Sequence, residues 1–285
     1  MMNAISDLAD RSSTQMIVIE AGHTERHYWR DLWSYRELLG FLAWRDISVR
    51  YKQTILGIAW VVLRPLLTMI VFSVVFGKLA GLSSGSAPYP AMVFAGMLPW
   101  QLFATTLTDS GNSILNNGGM VSKVYFPRLL MPLSAAVVAL VDFLVAAVLL
   151  SITLGLYGVL PGWRILALPL FIIDALAISV GVGLWVAALN VRYRDFRFIV
   201  VFGLQLGLYL SPVGFRSAII PDEWRFLYSC NPMVGVIDGF RWALLGDATP
   251  LYWPGTVVSV LLSVLLLWSA VVHFRRTEKS FADII

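Results

Sequence analysis

The sequence predicts an all-α integral membrane protein with six transmembrane helices. Of its 285 residues, 58% are hydrophobic and only 13% are charged, whereas an average soluble domain carries about a quarter charged residues. The apolar residues are gathered into runs of about 20, the length that a helix needs to cross a bilayer. Short basic segments flank these runs, and such flanks set the orientation of a membrane protein.

The first predicted element is an interfacial helix. Residues 28–52 interleave aromatic with charged side chains. Apolar residues fall on one stripe at helical spacing, although Asp46 interrupts it. The pattern favours an amphipathic helix on the cytoplasmic leaflet over an ordinary solvated helix. The members of the stripe are Tyr35, Leu38, Leu39, Leu42 and Val49, and the aromatic residues that favour the interface are Trp29, Trp33, Phe41 and Trp44.

The membrane spans follow this helix. We divide the chain into an N-terminal cytoplasmic tail (1–27), the interfacial amphipathic helix (28–54), a six-span domain (55–274) and a C-terminal cytoplasmic tail (275–285). Most Lys and Arg residues lie in the two tails and in the loops after spans two and four, so we expect both termini on the cytoplasmic side. The six spans are predicted at 55–79, 89–109, 129–157, 164–189, 196–214 and 253–274.

The segment between spans five and six, residues 215–252, is too polar to span and too apolar for a free loop. Its helix signals predict two short helices that dip into the outer leaflet as a re-entrant pair. Such backbone is tolerated at membrane depth only where it is buried in protein or lines a cavity. The signals are Pro221, Asp222 and Glu223 for the first helix and Asn231, Pro232 and Gly246 for the second.

Several function classes lack their motifs. The sequence has no Walker-type phosphate loop and no H-E-x-x-H, and its single cysteine, Cys230, cannot form a disulfide within the chain. His23 and His27 are four residues apart in a polar tail, which is a weak metal signal. The basic residues are spread as short flanks, whereas a nucleic-acid binder concentrates them on one face. We therefore expect no nucleic-acid partner, no metal site and no chemistry in this chain.

Two carboxylates, Asp142 and Asp174, lie within predicted spans three and four. Intramembrane carboxylates are costly and are functional hypotheses by default. Each carboxylate can be accommodated either by pairing with a group on another helix or by protonation, and the sequence leaves both alternatives open.

Six sequence blocks in order carry a family resemblance: "WRDISVRYKQTILGIAW", "PYPAMVFAGMLPWQLF", "VSKVYFPRLLMPL", "ALNVRYRDFR", "NPMVGVIDGFRWALLG" and "RRTEKSFADII". With these blocks the chain resembles the ABC-2 membrane permeases that export O-antigen and related cell-surface polysaccharides. The resemblance implies a homodimer in the bacterial inner membrane, with two copies of a separate ATPase that bind the ATP and Mg²⁺. It also implies an undecaprenyl-diphosphate-linked glycan as substrate and no cofactor in this chain.

The resemblance also implies regions of function. A coupling segment for the ATPase falls between spans two and three, and gate helices fall between spans five and six. The coupling residues are Asn116, Asn117, Met120, Val121 and Lys123. The periplasmic gate residues are Pro221, Trp224, Asn231, Pro232 and Arg241.

Two further sets concern the substrate. Aromatic faces suit the apolar faces of sugar rings, and a diphosphate that enters from the cytoplasmic leaflet suits arginine. Alternatively, Arg50 and Lys52 only fix the topology and contact lipid phosphates. The predicted glycan channel comprises Trp60, Phe72, Trp100, Phe103, Tyr209, Phe215 and Trp242. The predicted lipid-diphosphate entry site comprises Arg45, Arg50, Lys52 and Arg64.

Three other functions remain as alternatives: teichoic acid export, export of a drug or another small lipid, and a membrane enzyme acting on polyprenyl-linked sugars. The enzyme would need a clustered acid or metal site on one membrane face, and the sequence shows none.

Overall fold

A computed structural model describes residues 28–52, 57–121, 123–193 and 195–281, and over these ranges it is helical without any strand. Five helical segments in these ranges are long and apolar enough to cross a membrane. The all-α class is therefore confirmed, and five of the predicted spans are present as helices with the length and apolar composition to cross a membrane. The five segments are Val62–Leu79, Tyr89–Asn116, Leu130–Leu156, Trp163–Arg192 and Trp253–Ser280.

The helices are numbered in chain order. The bundle helices are α3 (Gly57–Phe72), α4 (Tyr89–Asn116), α6 (Leu130–Leu156), α7 (Leu168–Arg192), α8 (Phe196–Leu210) and α11 (Trp253–Thr277). The remaining helices are α1 (Tyr28–Ser34), α2 (Arg36–Lys52), α5 (Gly118–Val121), α9 (Asp222–Tyr228) and α10 (Pro232–Leu245). A π-helical segment, Ser73–Leu79, prolongs α3, and 3₁₀ turns prolong or precede others.

The predicted fifth span corresponds to α8, which is only 15 residues long. At 1.5 Å per residue it extends about 22 Å, which is less than the roughly 30 Å hydrocarbon core. The helix stops at Leu210 because Pro212 lacks an amide hydrogen and restricts the preceding residue. The predicted end at residue 214 is therefore wrong, and the crossing of the membrane by this segment stays a prediction.

The interfacial helix is divided into α1 and α2, with a break at Tyr35. Leu42 is 1% exposed, and Leu38 and Leu39 pack against the buried cluster at this end of the bundle. Val49, which the stripe placed with them, is 49% exposed. The aromatic residues expected at the interface, Trp29, Trp33, Phe41 and Trp44, all have exposed side chains.

Helix α4 forms the centre of the bundle and packs against α6, α7 and α10. Small residues allow these backbones to approach closely, as is usual in membrane bundles. A Cβ added at Gly111 would lie 2.6 Å from Cγ1 of Val186, and one added at Gly183 would lie 2.8 Å from Cβ of Ser110. The Ser110 hydroxyl donates to the Pro132 carbonyl, 2.9 Å away, which ties α4 to α6.

The two short helices between spans five and six are present as α9 and α10. The Asn231 side chain accepts a hydrogen bond from the Met233 amide, and Gly246 ends α10 with φ of 64°. These are the cap and the terminator that the sequence predicts. Helix α10 is buried against α4, α7 and α11, so this part of the segment is built into the bundle.

Candidate functional site

An ion cluster lies where α2 meets the bundle, at the end that also carries α1, α5 and the C-termini of α7 and α11. We call this end the basic end. The Arg50 guanidinium donates through Nη2 to Oδ2 of Asp109, 2.7 Å away, and through Nη1 to Asp142. The Tyr51 hydroxyl donates to the second oxygen of Asp142. We call Arg50, Tyr51, Asp109 and Asp142 the arginine clamp.

The arginine clamp joins three elements. Arg50 and Tyr51 lie in the last turn of α2, Asp109 lies in α4 and Asp142 lies in α6. Both carboxylates belong to membrane helices, where an isolated charge is costly. A guanidinium that bridges them offsets this cost with charge-assisted hydrogen bonds. The clamp therefore fixes the interfacial helix to two helices of the bundle.

The electrostatics hold the protons of Arg50 and Tyr51 in place. Burial lowers the pKa of Arg50, but the hydrogen bonds and charges of Asp109 and Asp142 outweigh it and raise that pKa above its ordinary value. Burial and the bond to Asp142 raise the pKa of Tyr51. Arg50 thus stays charged and Tyr51 stays a donor at physiological pH.

The two intramembrane carboxylates have different partners. Asp142 pairs across helices with Arg50, one of the two alternatives that the sequence leaves open. Asp174 accepts a hydrogen bond from the Ser263 hydroxyl of α11. Sequence reasoning missed Asp109, although it is a carboxylate at the very end of a predicted span and so signals a need for a counter-charge.

The remaining residues of the predicted entry site have other surroundings. Arg45 donates to Oδ1 of Asp46 at 2.8 Å and to Oδ1 of Asn117 at 2.9 Å, while Lys52 and Arg64 are exposed. Two of the four cations are thus engaged with protein oxygens. Binding of a diphosphate by this set stays a prediction, and for Arg50 it requires competition with two carboxylates.

The predicted coupling segment forms a compact turn around α5. The Asn117 side chain donates to the Ser113 carbonyl at 2.9 Å and accepts from Arg45 of α2. Val121 is buried, whereas Lys123 is exposed. The segment is therefore anchored on one side and open on the other, with Met120 partly buried and Asn116 exposed. Docking of an ATPase there stays a prediction.

At the opposite end of the bundle, Arg241 of α10 is 1% exposed. Its guanidinium donates to three backbone carbonyls, those of Met92 at 3.1 Å, Phe215 at 2.8 Å and Val213 at 2.8 Å. Two of these belong to the non-helical backbone that follows α8. The Tyr89 hydroxyl donates to the Gly214 carbonyl between them. We call residues 211–216 the outer turn.

The carbonyls of the outer turn keep partners although this backbone is not helical. Carbonyls freed by the end of a helix need internal partners where water is scarce. Arg241 and Tyr89 supply donors to three successive carbonyls. Gly96 makes room for this arrangement, since a Cβ there would lie 2.7 Å from Nη2 of Arg241.

Among the predicted gate residues, Arg241 thus has a buried structural role. Trp224 is 59% exposed and Pro221 is exposed. Asn231 caps α10, and its Nδ2 also donates to the Ser211 hydroxyl at 3.0 Å. A gating movement of these helices stays a prediction.

The rings predicted to line a glycan channel are divided between core and surface. Phe72 and Trp100 are buried in the main core, where the Trp100 ring faces Gly207 and lies 5.3 Å from the Phe103 ring. Tyr209 is 63% exposed. The channel role stays a prediction for all seven, and in this conformation only the accessible rings can touch a substrate. Phe215 and Trp242 are half-buried, and the side chain of Trp60 lies outside the described part of the chain.

Within the described ranges, no three His, Cys, Asp or Glu side chains are grouped so that they could hold a metal ion. The five long apolar helices describe a polytopic helical membrane protein, and the arginine clamp joins two of its helices to α2. Residues 37–245 match the family model described as ABC-2 type transporter.

Curated relatives match over most of their length. The chain is 30% identical over 262 residues to the O-antigen export system permease protein RfbA of Myxococcus xanthus. The aligned region covers 90% of this chain and 98% of the relative. Two proteins of the same description from Klebsiella pneumoniae are 28% and 25% identical, each covering 87% of this chain and 95% of the relative. The chain belongs to the ABC-2 type transporter family, and it is a membrane-embedded permease subunit.

Proposed function

We propose that this chain is the permease of an ABC transporter that exports a polyprenyl-diphosphate-linked polysaccharide of the O-antigen type. The observation that carries the proposal is the similarity, over nearly the full length of both chains, to relatives described as O-antigen export permeases. The chain crosses the inner membrane six times in this proposal, with α8 and the outer turn as the fifth crossing. Both termini are cytoplasmic.

The transporter contains two copies of the chain. None of the residues of α8 is buried, and only 11% of the residues of Val62–Leu79 are buried, against 72% in an 18-residue apolar window of Tyr89–Asn116. Apolar helices with so little protein cover can face lipid, and in this proposal part of their surface meets the second copy. The glycan then passes between the two copies, along the accessible rings of Tyr209, Phe215 and Trp242.

Energy comes from a separate ATPase, which binds the ATP and Mg²⁺. The turn around α5 suits its docking, because Asn117 and Val121 anchor the turn while Asn116 and Lys123 remain accessible. The bond between Arg45 and Asn117 links the same turn to α2, so a push on α5 is transmitted to the interfacial helix.

A deletion strain tests the proposal. Loss of the chain is expected to remove the polysaccharide from the cell surface and to accumulate its polyprenyl-diphosphate-linked form in the inner membrane. Expression of the intact chain restores the surface glycan. The chemical identity of the accumulated lipid distinguishes O-antigen from teichoic acid or a small lipid, and unchanged surface glycan in the deletion strain contradicts the proposal.

A further inference from the structure

A cavity of about 350 Å³ with a mixed polar and apolar lining lies at the basic end, between the last turns of α4 and α7 and the start of α8. Its polar wall includes the amides of Asn112, Asn116 and Asn190 and the guanidinium of Arg197, and its apolar wall includes Phe198 and Val201. The volume is at the lower end of the range for small-molecule sites. It therefore admits one sugar ring with its substituents but not a folded chain.

The cavity contains a buried acceptor that lacks a partner. Asn190 is 1% exposed, and its Nδ2 donates to the Gly111 carbonyl at 2.9 Å and toward Oδ1 of Asn112 at 3.4 Å. These bonds fix the amide, so its Oδ1 is the free acceptor. Among the described residues this oxygen is buried without any hydrogen-bond partner. Buried polar atoms are nearly always paired, so a hydroxyl donor that reaches this oxygen from the cavity would be stabilised there.

The same cavity is favourable to an anion at its rim. Arg197 lies in the first turn of α8, a helix of 15 residues, where the helix dipole adds partial positive charge. Its guanidinium is exposed and lies 4.8 Å from the centre of the Phe198 ring. The rim thus carries a cation that can hold a phosphate, next to an aromatic face that can pack against the C–H face of a sugar.

We infer that this cavity binds a sugar phosphate, with a sugar hydroxyl donating to Oδ1 of Asn190 and the phosphate held by Arg197. The amides of Asn112 and Asn116 provide further hydrogen bonds to hydroxyl groups. This inference rests on the proposed function, because the exported lipid carries a sugar directly attached to its diphosphate. The cavity is separate from the predicted entry site, since Arg45, Arg50, Lys52 and Arg64 are absent from the lining that the described residues provide.

The inference is tested by protection of a cysteine in the cavity wall. The full chain, with Cys230→Ser and Val201→Cys, is placed in lipid nanodiscs and alkylated with N-ethylmaleimide. Millimolar glucose 1-phosphate is expected to slow alkylation at least threefold, while glucose alone and inorganic phosphate alone slow it less. The matched control is Phe202→Cys, which is similarly exposed but lies outside the cavity lining, and its rate is expected to stay constant.

A second pair of variants assigns the phosphate contact. Arg197→Gln is expected to abolish the protection, whereas Arg192→Gln is expected to retain it. Arg192 is the matched control because it is exposed, lies near Arg197 in sequence and stacks over Tyr193 at 5.5 Å, yet it does not line the cavity. Loss of protection in both variants, or in neither, overturns the assignment.

A lipid-linked probe identifies the source of the sugar phosphate. A prenyl-diphosphate-linked glucose incorporated in the nanodisc is expected to protect Val201→Cys at a lower concentration than glucose 1-phosphate. Protection by the soluble compound alone overturns the link to the exported lipid. Absence of protection by every probe overturns the site itself, and it leaves the proposed function intact if the deletion strain still loses its surface glycan.

Discussion

Arg50 holds two carboxylates that come from different membrane helices, and this pairing changes what can be expected of the residue. The sequence places a cation beside the membrane surface, where it suits either a lipid phosphate or a substrate diphosphate. The arginine clamp shows a third use, because the guanidinium already forms ion pairs with both Asp109 and Asp142. A substrate role for Arg50 therefore has to be separated from its role in stability.

Substitutions at Arg50 make that separation. Arg50→Gln leaves two carboxylates without their counter-charge and is expected to cost about 1–3 kcal/mol of stability. This is less than the 3–5 kcal/mol of a fully buried pair, because the Arg50 side chain remains 34% exposed. Arg50→Lys keeps the charge but loses the two-sided hydrogen bonding, so an intermediate loss is expected. Thermal unfolding in detergent measures both.

The neighbouring Lys52 provides the control, since it is exposed at the end of the same helix. Lys52→Gln is expected to unfold at nearly the same temperature as the parent. Equal stability of Arg50→Gln and Lys52→Gln contradicts the stabilising role of the arginine clamp. If Arg50→Lys is as stable as the parent and yet abolishes surface glycan at equal membrane levels, the headgroup role predicted from the sequence is supported instead.

At the scale of elements, α10 and the outer turn depend on one another. The Arg241 side chain fills the space beside Gly96 and reaches carbonyls on both α4 and the outer turn. Helix α10 positions the guanidinium, and the guanidinium fixes the backbone that follows α8 through hydrogen bonds to its carbonyls. Loss of either partner leaves buried carbonyls without donors.

A double-mutant cycle tests this dependence. Arg241→Met removes three hydrogen bonds and is expected to cost about 2–4 kcal/mol, near the upper end for single substitutions. Gly96→Ala places a Cβ 2.7 Å from Nη2, so the guanidinium must shift, and a loss of about 1–3 kcal/mol is expected. Because the clash exists only while Arg241 is present, the double variant is expected to lose less than the sum.

Stability toward denaturant in detergent is the measurement for this cycle. Arg276→Met serves as the control, because Arg276 is exposed near the end of α11 and exposed charges contribute little to stability. Strict additivity of Gly96→Ala and Arg241→Met, with a coupling below about 0.5 kcal/mol, contradicts the dependence of α10 on the outer turn.

The elements differ in how far the sequence predicted them. Local chemistry predicted the boundaries of α10, because the Asn231 cap, Pro232 and Gly246 act through backbone groups within a few residues. The end of α8 was predicted four residues too late, since apolar composition continues through Val213 although Pro212 interrupts the helix. Periodicity predicts an apolar face but not its partners, so it grouped the exposed Val49 with Leu42, which packs into the bundle.

The residues of the sites were harder to predict than the elements. Asp109, Asp142 and Arg50 are separated by 33 to 92 positions in the chain, and their contact depends on the packing of three helices. The cavity beside Asn190 likewise needs α4, α7 and α8 together. A hydropathy pattern does not distinguish asparagine side chains that line a cavity from those on the surface. The Lys and Arg residues, in contrast, did predict which end of the bundle is basic.

At the scale of the whole molecule, the central question is whether α8 and the outer turn together cross the membrane. With five crossings the two termini lie on opposite sides, and with six they lie on the same side. The distribution of Lys and Arg favours six. The short length of α8 is compatible with six only if the outer turn completes the crossing with its carbonyls bonded internally, as Arg241 and Tyr89 allow.

Cysteine labelling in intact cells decides between the two topologies. In a Cys230→Ser background, Ser86→Cys and Ala218→Cys are expected to react with an impermeant thiol reagent applied from outside. Val124→Cys and Tyr193→Cys are expected to react only after the membrane is permeabilised, because six crossings place them inside. All four positions are exposed in the chain, so a failure to react reports the side of the membrane and not burial. Tyr193 and Ala218 flank α8 directly, and labelling of both from the same side means that α8 does not cross and that the chain has five spans.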